Sequence, residues 1–245
     1  MGGDGFSDMD QPAAASIDKD AACGIWVVIP GYNEGRIIGR VVADVRRHGY
    51  AVAVVDDGSR DDTRAHAAAA GARVVCHPIN LGQGAALQTG IDYALTQGAE
   101  VIVTFDADGQ HRAGEIARLI ENLRRERADF ALGSRFRGAA TNLPLLRRLV
   151  LLAAVVFTRV TCGIRVTDTH NGFRAMTRNG ARSIRLRQNR MAHASEILQQ
   201  IAASGLRYVE VPVTIDYTAY SLRKGQRVGD AMTILLDLFT RKLYR

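Results

Sequence analysis

Cysteine and aromatic residues are scarce in this chain. Cys23, Cys76 and Cys162 are the three cysteines among 245 residues. Their odd number and the lack of any C-x-x-C spacing argue against a disulfide framework, and they read as free thiols in a reducing compartment. Aromatic residues make up 6% of the chain. That is thin for a single-stranded nucleic acid binder, which interleaves basic with stacking side chains, so no nucleic-acid partner is expected. Long apolar runs are also missing. The longest, Leu149 to Phe157, is far shorter than the roughly 20 residues of a spanning helix, and no transmembrane segment is expected. A Walker loop is absent too. The Gly-rich stretch Asn80-Leu81-Gly82-Gln83-Gly84 lacks Gly-Lys-Ser/Thr, and without a third glycine it is no dinucleotide fingerprint.

What is present suits an α/β core: 47% hydrophobic residues, 23% charged residues and 24 glycines. The net charge is +7. The first 22 residues carry five aspartates against one lysine, a local net of −4 that leaves +11 for the rest. With no apolar periodicity, no basic start and no apolar stretch, residues 1–22 read as a disordered acidic tail rather than a signal peptide. The basic remainder points to anionic small substrates, a membrane surface or nucleic acid, and charge alone does not choose among them.

Apolar runs and helical periods alternate from residue 25 onward. Strands are expected at 25–29, 51–55, 73–76, 101–105 and 130–133, and helices at 34–47, 61–70, 84–97 and 113–127. Strict β-α alternation implies a parallel sheet with helices on both faces, and ligands then bind at the carboxyl ends of the strands. The polar stretches Tyr32-Asn33-Glu34, Asp56-Asp57-Gly58-Ser59, Asp106-Ala107-Asp108 and Gly133-Ser134-Arg135 all fall at such ends. Beyond residue 140 the pattern predicts helices at 145–161, 194–203 and 228–243 and strands at 171–176 and 208–215.

Asp106 and Asp108 stand two residues apart, which points both carboxylates to one side of an extended strand end. Two carboxylates and a diphosphate satisfy a hard divalent cation, with Gln110 as a third oxygen ligand. Asp56 and Asp57 can accept hydrogen bonds from a nucleobase or ribose, while Asp61 or Asp62 caps the next helix. The glycines before residue 85 allow an anion to approach backbone amides at a helix N-terminus. His48, His66, His77 and His193 show no ligand spacing and read as structural, while His111 and His170 adjoin motifs.

Pro30-x-Tyr32-Asn33-Glu34, Asp56-Asp57-Gly58-Ser59-x-Asp61-x-Thr63, Asn80-x-Gly82-x-Gly84 and Asp106-x-Asp108-Gly109-Gln110-His111 occur in that order. Together they resemble the family 2 glycosyltransferases with the GT-A fold. Gly133-Ser134-Arg135 and Asp168-x-x-x-Gly172-Phe173-Arg174 resemble the branch of dolichol-phosphate mannosyltransferase and polyprenyl-phosphate glycosyltransferases. The resemblance implies a nucleotide pocket lined by Pro30, Tyr32, Glu34 and Asp57, with Gly82 at the phosphates. It implies Mg2+ or Mn2+ on Asp106, Asp108 and Gln110, Arg135 at an acceptor phosphate, and an inverting displacement on a GDP- or UDP-sugar. Asp168 or Glu196 would serve as base only for a hydroxyl acceptor. Ser221 to Arg227 is basic but departs from the Arg-x-x-Gly-x-Ser-Lys stretch of related lipid-phosphate enzymes. A single domain over 23–227 is expected, followed by an amphipathic helix over 228–245 that packs on the domain, a membrane or a partner. A sugar-nucleotide-forming nucleotidyltransferase is the competing enzyme class, weakened by a first loop, Gly31-Tyr32-Asn33-Glu34, without the expected basic residue.

Overall fold

The computed structural model describes residues 24–188 and 192–217. The expected acidic tail, the loop at 221–227 and the closing helix at 228–245 lie outside the described residues. A seven-stranded sheet in the order β3-β2-β1-β4-β6-β5-β7 organises the rest. Its strands are β1 (Ile25–Gly31), β2 (Ala51–Asp56), β3 (Arg73–Cys76), β4 (Val101–Thr104), β5 (Phe130–Thr141), β6 (Arg174–Thr177) and β7 (Tyr208–Asp216). The helices are α1 (Ile38–Arg47), α2 (Thr63–Ala69), α3 (Gln83–Thr96), α4 (Ile116–Arg125), α5 (Leu145–Cys162), α6 (Arg178–Ser183) and α7 (Ala192–Ser204).

The continuous apolar runs of β1 and β2 are buried along their whole length, as strands covered on both faces must be. On one face, Ile38, Val41, Val42 and Val45 of α1 and Ile116, Leu119, Ile120 and Leu123 of α4 join a core with Val27, Val54 and Val103. On the other, Leu87 and Ile91 of α3 and Ile197, Leu198 and Ile201 of α7 pack on Val28, Ala53 and Ile102. The apolar periodicity therefore reports real helix faces.

The sheet departs from strict parallel order at one place. β6 runs antiparallel between β4 and β5, pairing Thr104 with Arg174 and Leu132 with Arg174. The sheet is mostly parallel, as expected for the GT-A fold, and β6 is its antiparallel strand. An antiparallel neighbour brings its amino end to the carboxyl end of β4, so Asp168 to Phe173 enter the edge where the polar loops lie. Two further boundaries move. β5 continues to Thr141 against β7 through a register shift between Ser134 and Ala139. α1 starts at Ile38 rather than Glu34 because the preceding amides are used elsewhere: Glu34 N donates to Thr63 Oγ1 (2.7 Å) and Gly35 N to Asp61 Oδ2 (2.9 Å). No helix among the described residues is long and apolar enough to cross a membrane.

Candidate active site

The carboxyl edge of the sheet opens into a cleft of about 500 Å3. Pro30, Tyr32, Glu34, Asp57, Gly82, Asp106, Asp108, Gln110 and Arg135 line it. The structure thus brings together every expected site residue except Asp168 and Glu196.

The first wall comes from the loops after β1 and β2, which are tied to each other. Asn33 N donates to Ser59 Oγ (2.9 Å) and Arg60 N to Asn33 Oδ1 (2.9 Å). Asp57 accepts from Leu81 N (2.9 Å) and Gly82 N (2.8 Å), and pairs with His77 Nδ1 at 2.7 Å. Its carboxylate therefore holds the Gly-rich loop in place before it can meet any ligand. Gly82 sits at φ +97, in the region that favours glycine, and delivers the N-terminus of α3 to the cleft. Asp61 accepts from Thr63 N, the first residue of α2, at 3.1 Å, while Asp62 at the N-cap position makes no side-chain cap bond.

The floor is the Asp106 to His111 turn. Asp108 accepts from Gln110 N (3.1 Å) and Gln110 Nε2 (2.6 Å). Gln110 thus steadies Asp108 through its amide nitrogen, leaving its amide oxygen as the atom able to meet a cation. His111 Nε2 lies 2.9 Å from Asp106 Oδ2, and the ring is edged by Phe105 and Phe173. Burial and the neighbouring Asp106 carboxylate push the Asp108 carboxyl up to about 6 from the ordinary 3.8. Asp106 is pulled the other way: burial would raise its pKa, but His111 and the Arg174 guanidinium hold it below the usual range. Two crowded carboxylates are a donor set that suits a hard divalent cation, which keeps its other positions for phosphate oxygens. Gly172 completes the floor, since a Cβ there would fall against both carboxylate oxygens of Asp106.

The far wall is basic. Arg135 donates from its backbone N (3.0 Å) and Nε (2.7 Å) to Asp168 Oδ2, from Nη1 to Tyr217 Oη (2.5 Å), and from Nη2 to the His170 carbonyl. Arg174, at the head of β6, is 3% exposed and lines the cleft. His170 and His193 stand beside it on the same wall. Burial and the Arg135 charge push the His170 imidazole down to about 4.

Two expectations are corrected. Asp168, a candidate base, is buried in an ion pair with Arg135 and does not line the cleft. Glu196, the other candidate, accepts from Arg187 N (3.0 Å) and Gln188 N (2.9 Å) and clamps that loop away from the cleft lining. Arg135 reaches the cleft as expected, but each of its side-chain nitrogens already has a protein partner. Sequence reasoning gave Arg174 no role and read His193 as structural, and both line the cleft. Arg174 closed a motif already noted, and its burial was the missing signal.

A mostly parallel sheet with an acidic floor, a helix N-terminus and a basic wall at its carboxyl edge defines an enzyme of the GT-A fold. The chain belongs to the glycosyl transferase family 2, whose model matches residues 26–185, and it is a glycosyltransferase. It is similar to the UDP-N-acetylglucosamine–dolichyl-phosphate N-acetylglucosaminyltransferase of Methanococcus voltae, with 32% identity over 89% of this chain and 96% of the relative. It is also similar to the polyprenol monophosphomannose synthase of Mycolicibacterium smegmatis, with 32% identity over 84% of this chain and 83% of the relative. Among solved structures, the glucosyl-3-phosphoglycerate synthase of Mycobacterium tuberculosis, in complex with Mn2+, UDP and phosphoglyceric acid, shares the fold. The TM-score is 0.67 at 22% identity, covering 89% of this chain and 80% of that one.

Proposed function

We propose that this glycosyltransferase is inverting and metal-dependent and moves a sugar from a GDP- or UDP-sugar to a polyprenyl phosphate at a membrane surface. The observation that carries the reading is the pairing of Asp106 and Asp108 with a basic wall across one cleft. Pro30, Tyr32 and Glu34 would flank the nucleoside, while Asp57 would hold the Gly82 loop against the phosphates. Asp106 and Asp108 would hold Mg2+ or Mn2+, steadied by His111 and Gln110. When bound, the cation supplies Lewis-acid neutralisation of the diphosphate charge. The acceptor phosphate oxygen forms a bond to the anomeric carbon as the bond from that carbon to the diphosphate breaks, and the nucleoside diphosphate leaves. An acceptor that arrives anionic needs no base, in keeping with an Asp168 that is buried and ion-paired with Arg135 through Oδ2 and a Glu196 that clamps Arg187 and Gln188. The two relatives are named for dolichyl phosphate and polyprenol, which supports the acceptor class.

The membrane part of the reading rests on α5. Leu145, Leu149, Leu152, Val156 and Val160 form a helical stripe, each at least 41% exposed. Ala154, Val155 and Thr158 on the other side of the helix are buried. An exposed apolar stripe on a chain of net charge +7 fits an anionic lipid surface, where each basic residue adds about 1 kcal/mol. Co-sedimentation with phosphatidylglycerol vesicles at low and high salt tests this. Binding at low salt that high salt weakens is expected; no binding at low salt would leave a soluble acceptor.

The enzyme is tested by incubating it with UDP- and GDP-sugars, Mn2+ and a short-chain polyprenyl phosphate, and measuring the glycosyl phospholipid formed. Asp108→Asn should lower turnover by roughly 1,000-fold with the circular dichroism unchanged. Full activity in EDTA would end the metal-dependent reading.

A further inference from the structure

Buried polar side-chain atoms nearly always have a partner, and each exception asks for an explanation. Among the described residues three such atoms have none: His111 Nδ1, Asp168 Oδ1 and Arg174 Nη1. All three sit at or beside the cleft, and the Arg174 atom is the cationic one. We propose that Arg174 is the anion receptor of the cleft, binding a phosphate oxygen through the edge of its guanidinium that the protein leaves unfilled.

The comparison with Arg135 carries the assignment. Both arginines are buried and both line the cleft. Arg135 is matched by Asp168, Tyr217 and a carbonyl, an arrangement that braces the wall. Arg174 has no acceptor on Nη1. Burial lowers its pKa to about 10, with Asp106 and Asp168 pulling it back up, so it stays charged at neutral pH. A buried guanidinium is stable when a bidentate anion completes it. The position suits that partner. Arg174 is registered opposite Thr104, two residues before Asp106, so a cation on the acidic floor and the guanidinium would bracket one anionic group.

The phosphate has two sources under the transferase reading on which its identity rests: the donor diphosphate or the acceptor phosphate. Binding is measured with the full chain, Mn2+ and UDP or GDP by calorimetry, and with inorganic pyrophosphate and phosphate by thermal shift. Arg174→Met keeps the side-chain stem without the charge, and Arg174→Lys keeps the charge without the fork. Arg174→Met also takes a positive charge from beside Asp106 and Asp168, so its unliganded melting temperature is measured beside that of Arg174→Lys, which keeps the charge.

If Arg174 meets the donor, nucleoside diphosphate and pyrophosphate affinities fall at least about tenfold in Arg174→Met, with Arg174→Lys intermediate. If it meets the acceptor, nucleoside diphosphate affinity holds, while stabilisation by inorganic phosphate disappears and KM for the lipid phosphate rises by a similar factor. Either result supports the receptor role. A folded Arg174→Met with unchanged affinity for every phosphate ligand and unchanged acceptor KM would overturn it. So would a destabilised Arg174→Met beside an Arg174→Lys with wild-type affinities, since that pattern marks a purely structural arginine. A wild-type chain that binds these phosphates through Arg174 yet transfers no sugar to the polyprenyl phosphate would refute the proposed acceptor and leave the receptor standing.

Discussion

On the β1–β2 side of the cleft, carboxylates and amides face the protein. Asp57 holds Leu81 and Gly82, Asp61 holds Gly35 and Thr63, and Asn33 holds Arg60. On the β4–β6 side, polar atoms are left over: the second oxygen of Asp168, one nitrogen of Arg174 and one of His111. The first side uses its charge to fold loops that present backbone amides. The second keeps polar atoms in reserve, at the head of β6 and in the loops before it and after β4. A charged residue near a cleft is therefore not enough to identify a ligand contact; what separates the two sides is whether the protein has already satisfied the group.

The strongest test of that division is Gly172→Ala. The added Cβ falls against the Asp106 carboxylate, so Asp106 must swing away. Misplacing a catalytic group by about 1 Å costs on the order of 100-fold, and that is the expected loss of turnover, with the fold retained. Near-normal turnover would show that the acidic floor yields, and would remove rigidity from the β4–β6 side. Asp57→Ala tests the other side. Losing the acceptor for two backbone amides and His77 should destabilise the protein by about 1–3 kcal/mol. It should also raise the donor Kd by roughly tenfold while leaving turnover at saturation within about threefold. Weaker binding without any loss of stability would make Asp57 a ligand contact rather than a loop brace.

The smallest effect is expected at His170. Its folded pKa of about 4 lies below the ordinary 6.5. Between those values the unfolded chain takes up a proton that the folded chain refuses, so the contribution of His170 is complete above pH 6.5 and is lost as pH falls toward 4. Melting curves across that window should lose part of their acid slope in His170→Gln. An unchanged slope would mean that neither burial nor the Arg135 charge holds the imidazole down.

Much of the cleft was legible in the sequence where its parts are local. An apolar run followed by Asp56-Asp57, or by Asp106-Ala107-Asp108, marks a strand end and a polar turn without knowledge of the rest. β6 was expected as a strand, at 171–176, but its antiparallel direction carried no signal, because it depends on pairing with Thr104 from far along the chain. α6 escaped because Arg178 to Ser183 has no apolar stripe and is started by the Thr177 cap on Gly180 N. Asp168 and Glu196 were read as candidate bases because a sequence shows a carboxylate and not the groups it faces. Arg174 was passed over for the same reason, its empty edge being visible only once its surroundings are in place.

The rung joining Thr104 to Arg174 also has a consequence for folding. Thr104 Oγ1 donates to the Gly172 carbonyl across 68 positions of sequence, so the acidic floor and the basic wall meet only after the chain has laid down β5 and α5 and returned. Contacts of such separation form late, after their loop-closure entropy has been overcome. A partly folded chain can form the β1–β2 loops, yet it cannot present Asp106 and Arg174 to one ligand. Donor binding then acts as a clamp on the entire sheet. A ligand at 100 times its Kd raises global stability by about 2.7 kcal/mol, and a core substitution far from the cleft weakens apparent affinity by thinning the population in which the rung is closed.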